Sequence, residues 1–160
     1  ILLDKKNLGL TSEAEILLFS ASRAQLVRKT IVPYLQDGYI VISDRFHDST
    51  SAYQGYGRNL PLQVVNVINQ FAIDGAVPAI TFFIDIPVEK ARERKQSQQS
   101  RGLDRIEIMD DEFFNRVRDG YLKLAAEDPR IKIMNGCLSK DELHVNIKSE
   151  LNKFGLCNEA

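Results

Sequence analysis

The chain has 160 residues, 44% hydrophobic and 27% charged. That balance suits one soluble globular domain over 1–160, long enough to bury roughly 70% of its extended surface without a disulfide or metal staple. Lys plus Arg number 21 against 22 Asp plus Glu, a net charge of -1, which argues against a chain built to coat nucleic acid or an anionic membrane. Two cysteines, Cys137 and Cys157, are too few for a disulfide framework and suit a reducing cytosol, and no apolar run approaches the roughly 20 residues of a membrane span.

The opening Ile1-Leu2-Leu3-Asp4 has no initiator Met and no capping residue, so it reads as the tail of an element already under way. Ser12 stands three residues before Glu15, a capping-box pattern that predicts a helix with apolar residues from Ile16 to Ile31 and Pro33 near its end. After the Asp37-Gly38 turn, the nearly all-apolar run 39–42 predicts a strand covered on both faces in a parallel sheet. Pro61 opens the next helix, with Leu62, Val65, Ile68 and Phe71 at helical spacing until Asp74-Gly75. A second strand is expected at 79–84, then a charged helix from Val88 to about Lys95 and a polar, mobile loop over 96–102. Phe113, Phe114, Val117, Tyr121 and Leu124 form the stripe of a further helix, and 131–134 is a third strand ended by Asn135-Gly136. Ser139 and Glu142 make a second capping box for a last helix ending near Gly155.

Strands alternating with helices predict an α/β fold, a parallel sheet flanked by helices with right-handed crossovers. Three strands against about five helices make a thin sheet, and at least one more strand is expected upstream. In such folds ligands bind beyond the carboxyl ends of the strands. After the first strand come Asp44 and Arg45, followed by hydroxyls, Tyr53, Gln54, glycines and Arg58. Asp44 and Arg45 suit either a structural ion pair or a site in which Arg45 forks onto a phosphate and Asp44 orients a magnesium-bound water or accepts a proton. Arg92, Arg94, Lys95, Arg101, Asp104, Arg105 and Glu107 are either a solvated charge run or an arginine-bearing lid over about 92–107. Phe19 and Arg23, four apart, share a helix face: core and surface neighbours, or a ring and a guanidinium that together hold a base. His47 and His144 have neither zinc-type nor triad spacing and are taken as non-catalytic, and no protein metal site is expected.

The string from Glu13 to Gln25, then Asp44-Arg45-Phe46, Ala52-Tyr53-Gln54-Gly55 and Asp104-Arg105-Ile106-Glu107, closely resembles thymidylate kinase of the bacterial type, in the family's order and as far as about Leu151. The resemblance implies a P-loop-kinase-like three-layer fold and transfer of the ATP γ-phosphoryl group to dTMP, giving dTDP, with Mg²⁺, in a cytoplasmic homodimer. It implies that Phe19 stacks on thymine, Arg23 bonds its edge, Thr50 and Gln54 touch the base, and Tyr53 crowds the place of a ribose 2′-hydroxyl. Arg45 would hold the acceptor phosphate with Asp44 beside it. Arg94 would pack on adenine, Asn135 would help complete the adenine pocket, and Arg101 and Arg105 would approach the transferring phosphate.

Three features depart from the family pattern. Phe46 stands where Tyr is frequent, 96–100 lengthen the lid, and no Gly-x-x-x-x-Gly-Lys-Ser/Thr stretch occurs in the 160 residues. In the family that loop and the sheet's central strand precede the point where Ile1 stands, so the expectation is a chain lacking both. The alternative to the enzyme is then a catalytically inactive nucleotide-binding or dimerising fragment.

Overall fold

The computed structural model describes residues 1–97 and 103–155. A single 3₁₀ turn, Lys5–Asn7, capped by Asp4, precedes helix α1, Ser12–Leu26. The cap of α1 is Thr11, whose Oγ1 accepts the Ala14 N–H at 3.3 Å, and the expected Ser12–Glu15 capping box does not form. Glu15 is 1% exposed, and its carboxylate is taken by three side chains from elsewhere in the chain.

α1 runs through a π-helical turn, Val27–Ile31, into α2, Val32–Gln36. Pro33 accounts for the widening. It has no N–H to donate, and its ring collides with the carbonyl four residues back in a regular helix, a clash that a wider turn relieves.

The run 39–42, expected as a buried strand, pairs with no described segment, and Tyr39, Ile40 and Ile42 are exposed. An apolar run becomes a strand only where a neighbour completes its ladder, and no described strand lies beside it. The described sheet therefore has two strands rather than three. β1, Thr81–Asp85, and β2, Ile131–Asn135, pair in parallel, with Thr81 opposite Ile131 and Asp85 opposite Asn135. β1 starts two residues later than the apolar run because pairing begins only where the Thr81 N–H donates to the Arg130 carbonyl.

Between these elements lies α3, His47–Thr50, which passes into a second π-helical stretch, Ser51–Gly57. Its hydroxyls and glycines are weak helix formers, so its shape comes from what it packs on. That partner is α6, Asp111–Glu127, capped by Asp110. The approach is close: a Cβ on Gly57 would fall 2.7 Å from Val117 and 2.8 Å from Phe113, and one on Gly120 would fall 2.6 Å from Tyr56. The buried cluster Ala52, Ile106, Phe113 and Val117 fills the contact, with Phe19, Tyr53 and Tyr121 against it. Burying a side chain such as Phe113 contributes about 1.5–3 kcal/mol, so this seam fixes the residues on its far side.

Three more helices match their sequence signals. α4, Leu62–Ile73, starts after Pro61 and ends at Asp74 in the left-handed region. α5, Val88–Ser97, extends through Gln96 and Ser97, which were expected in the loop. α7, Lys140–Lys153, carries the predicted Ser139–Glu142 capping box. The remainder of that loop, with Arg101, lies outside the described residues, as does Cys157. No described helix is long and apolar enough to cross a membrane.

Candidate active site

The polypeptide turns sharply between 43 and 46. Arg45 is left-handed at φ 65°, a conformation that costs a non-glycine residue about 1–3 kcal/mol and is found where surroundings impose it. Ser43 Oγ donates to the Arg45 carbonyl at 2.8 Å and closes the turn. The Arg45 guanidinium then lies over the Tyr53 ring, 5.0 Å from its centroid, with no carboxylate of the described residues at ion-pair distance.

This turn, α1 and the α3–π-helical stretch enclose a cavity of ≈ 280 Å³. Phe19, Ser22, Arg23 and Leu26 of α1 make one wall; Asp44, Arg45 and Phe46 make the second. Ser49, Thr50, Tyr53 and Gln54 make the third, with Ile106 closing the gap. Phe19 and Arg23 from one stretch of sequence and Asp44, Arg45, Thr50, Tyr53 and Gln54 from another thus meet on one cavity.

Arg23 is the most constrained of them. Its Nη2 donates to the Phe46 carbonyl at 3.3 Å and its guanidinium sits 5.7 Å from the Phe46 ring centroid. Its Nη1 is buried with no partner among the described residues. Burial lowers the Arg23 pKa from its ordinary value, an effect that Asp48 opposes. A buried unpaired donor costs about 1–3 kcal/mol, so this one favours a ligand carrying an acceptor.

Two buried carboxylates hold the walls. Glu15 accepts from Gln54 Nε2 at 2.8 Å, from Arg58 Nε at 3.2 Å and Nη2 at 3.1 Å, and from Arg105 Nη2. Burial alone would raise its pKa, but the bonds from Arg58, Gln54 and Arg105 outweigh that and hold it below the usual carboxylate range. Asp48 accepts from Arg130 with both oxygens and from Thr81 Oγ1 at 3.0 Å, which ties α3 to the first residues of the sheet. Here too burial raises and the Arg130 bonds lower, with a net fall. Tyr121 donates to Ser49 Oγ at 2.7 Å, and burial pushes its phenol up to about 12, so it stays a neutral donor.

Arg105 does not line the cavity. It is 3% exposed, and besides Glu15 its Nε donates to the Leu2 carbonyl at 2.8 Å, which places it behind the wall. Arg94 and Asn135 meet in a different place. Arg94 Nη1 donates to the Gly136 carbonyl at 2.8 Å, and Asn135 Oδ1 accepts the Cys137 N–H, forming the turn that follows β2.

Of the supporting residues, Arg58 stands out in the sequence with its polar segment, whereas the inward roles of Glu15, Asp48 and Arg130 do not. For Glu15 a signal existed: Glu15, Phe19 and Arg23 are successive members of one i, i+4 row, so a carboxylate at the head of that row faces the same neighbours as the two below it. Asp48 and Arg130 are far apart in sequence and carry no local pattern that would pair them.

An aromatic ring, hydroxyls, a guanidinium with one nitrogen unsatisfied among the described residues and a second cation on one cavity form a site for a small anionic molecule with a planar polar part. A family model described as thymidylate kinase matches residues 1–147. Thymidylate kinase of Kosmotoga olearia is 46% identical over 146 residues, covering 91% of this chain and 68% of that protein. Thymidylate kinase of Chlorobaculum parvum is 48% identical over 159 residues, covering 94% of this chain and 73% of that protein. The crystal structure of thymidylate kinase from Ehrlichia chaffeensis superposes with a TM-score of 0.69 at 34% identity, over 89% of this chain and 66% of that one. The chain belongs to the thymidylate kinase family, and it spans about two thirds of the solved relative's length.

Proposed function

We propose that the protein transfers the γ-phosphoryl group of ATP to dTMP, giving dTDP and ADP. The observation that carries this reading is the convergence of Phe19, Arg23, Arg45, Tyr53 and Gln54 on one cavity in a chain of this family. Phe19 supplies a face for the pyrimidine ring, and the unpaired Arg23 Nη1 supplies a donor for a ring carbonyl. Arg45, with no carboxylate of the described residues at ion-pair distance, takes the acceptor phosphate. Tyr53, held between Phe113 and Tyr121, fills space beside the sugar.

In the reaction an oxygen of the dTMP phosphate attacks the γ-phosphorus, the bond from that phosphorus to the β–γ bridging oxygen breaks, and ADP leaves. Positive charge near the transferring group is the main thing a protein can add to such a step. Arg45 supplies it, and Asp44 at the same turn orients the group beside it. Among the described residues no three metal-ligating side chains cluster, but Mg²⁺ that travels on the phosphates of ATP and keeps its waters needs only one or two carboxylates. Asp44 fits that part, and Mg²⁺ would supply charge neutralisation on the phosphates. The bond between Arg94 and Gly136, next to Asn135, supports the turn after β2 as the place for adenine. Leu17 of α1 with Val64, Val67 and Phe71 of α4 are exposed, and such apolar helix faces support a homodimer.

The test is transfer of γ-labelled phosphate from ATP to dTMP by the purified protein, resolved as labelled dTDP. Label accumulating in dTDP bears the reading out; label released only as inorganic phosphate, or not released, overturns it.

A further inference from the structure

Glu15 lies behind the cavity wall, 1% exposed, and Gln54 lies in the wall, 3% exposed. The 2.8 Å bond between them runs from Gln54 Nε2 to Glu15 Oε1. Two guanidiniums, of Arg58 and Arg105, share the same carboxylate, so it is ionised and can only accept. An acceptor-only partner settles which end of the Gln54 amide faces it: the NH₂ end. The other end, Oε1, receives no hydrogen bond from any described residue.

We propose that Glu15 is a positioning residue for base selection: by holding the Gln54 amide in one orientation it makes the cavity, which Arg23 also lines, present an acceptor there. An acceptor and a donor on one cavity match a ring edge with an N–H beside a C=O, as in an imide, and mismatch an edge whose ring nitrogen is unprotonated. A free amide could rotate and donate to either kind of edge. A fixed one sets lone pair against lone pair for the wrong base, which is discrimination by repulsion rather than by added attraction. This inference rests on the nucleotide reading of the cavity given above, and adds to it the residue that sets the polarity of the base contact.

Glu15→Gln tests it by inverting the geometry. The new side chain keeps its carbonyl for Arg58 Nη2 and Arg105 Nη2 and turns its NH₂ toward Gln54, giving up the bond from Arg58 Nε, and so makes Gln54 present Nε2 to the cavity. Affinities for dTMP and dCMP are measured by calorimetry on the wild-type protein, on Glu15→Gln, on Gln54→Ala and on the double variant. The expected result is a dTMP-over-dCMP ratio about tenfold lower in Glu15→Gln, with no further change when the substitution is made in Gln54→Ala. A residue that merely supports the fold would weaken both nucleotides alike, leave the ratio unchanged and act equally in both backgrounds; that result overturns the proposal. Glu15→Asp guards against loss of folding, since it keeps the charge opposite both arginines and shortens the reach to Gln54 by one methylene. Its ratio also falls if the proposal holds, and an unchanged ratio in this folded variant overturns it. Wild-type protein that prefers dTMP alongside variants that keep the preference sinks this inference alone. Wild-type protein that binds neither nucleotide sinks the proposed function with it.

Discussion

Arg45 holds a positive charge in the cavity with only the face of Tyr53 beneath it. A cation with no described carboxylate in contact contributes little to folding, so Arg45→Ala should leave the urea midpoint nearly where it was. On the function proposed above, its effect belongs to the reaction. Loss of one charged contact in the transition state costs about 3 kcal/mol, roughly a hundredfold in turnover. Steady-state kinetics beside a denaturation curve separate the two effects, and unchanged turnover rejects the role given to Arg45. At this scale the sequence was readable wherever chemistry and spacing agreed. Phe19 and Arg23 stand four apart, and Asp44 and Arg45 adjoin a crowded polar segment, so each pair announces a shared surface. Glu15 shows the opposite case. Ser12 and Glu15 satisfy a capping pattern equally well on paper, and only the approach of Arg58 and Arg105 decides that the carboxylate turns inward.

Among the elements, helices with their own start signals were legible: α4 from Pro61, α7 from Ser139 and Glu142. The stretch Ser51–Gly57 was not, because its helical form is imposed by α6 rather than by its own propensities. Nor was the absence of a ladder at 39–42, since an apolar run shows what a strand needs and not whether a partner is at hand. The dependence of the π-helical stretch on α6 can be tested at Gly120. A Cβ there would lie 2.6–2.7 Å from Cδ2, Cβ and Cγ of Tyr56, atoms too near the backbone to swing away. Gly120→Ala should force the two elements apart, destabilising the protein by about 1–3 kcal/mol. Because Tyr53 and Gln54 ride on the displaced stretch, dTMP affinity should fall as well. Urea denaturation and a dTMP titration on the same sample check both; a midpoint and an affinity equal to wild type would show that the contact gives way cheaply.

Over the whole molecule the site is tied to the sheet through buried charge, and that makes stability depend on pH in two stages. His47 is buried beside Asp48, its Nδ1 3.5 Å from Oδ1, and its Nε2 has no partner among the described residues. Burial pushes its pKa down; Asp48 and Asp128 oppose this, while Arg130 and Arg23 add to it. The unfolded chain then binds the proton more readily than the folded one, so stability falls as pH drops below about 6.5, the ordinary histidine value. This loss is complete once pH is below the depressed value. Glu15 and Asp48 are also depressed, with burial outweighed by their arginine bonds. For them too the unfolded chain takes the proton first: their contribution is fully present above about pH 4–4.5 and disappears as pH falls through the lower, folded values. Urea midpoints measured from pH 8 to pH 3 should therefore decline first below about 6.5 and more steeply below about 4.5. His47→Gln should abolish the upper decline and leave most of the lower one, because it removes the titrating ring while the Arg130 bonds to Asp48 and the arginine bonds to Glu15 remain. An upper decline that survives in His47→Gln would assign it to another group, and the buried histidine would then be a spectator of the Asp48–Arg130 pair rather than the source of the first stage.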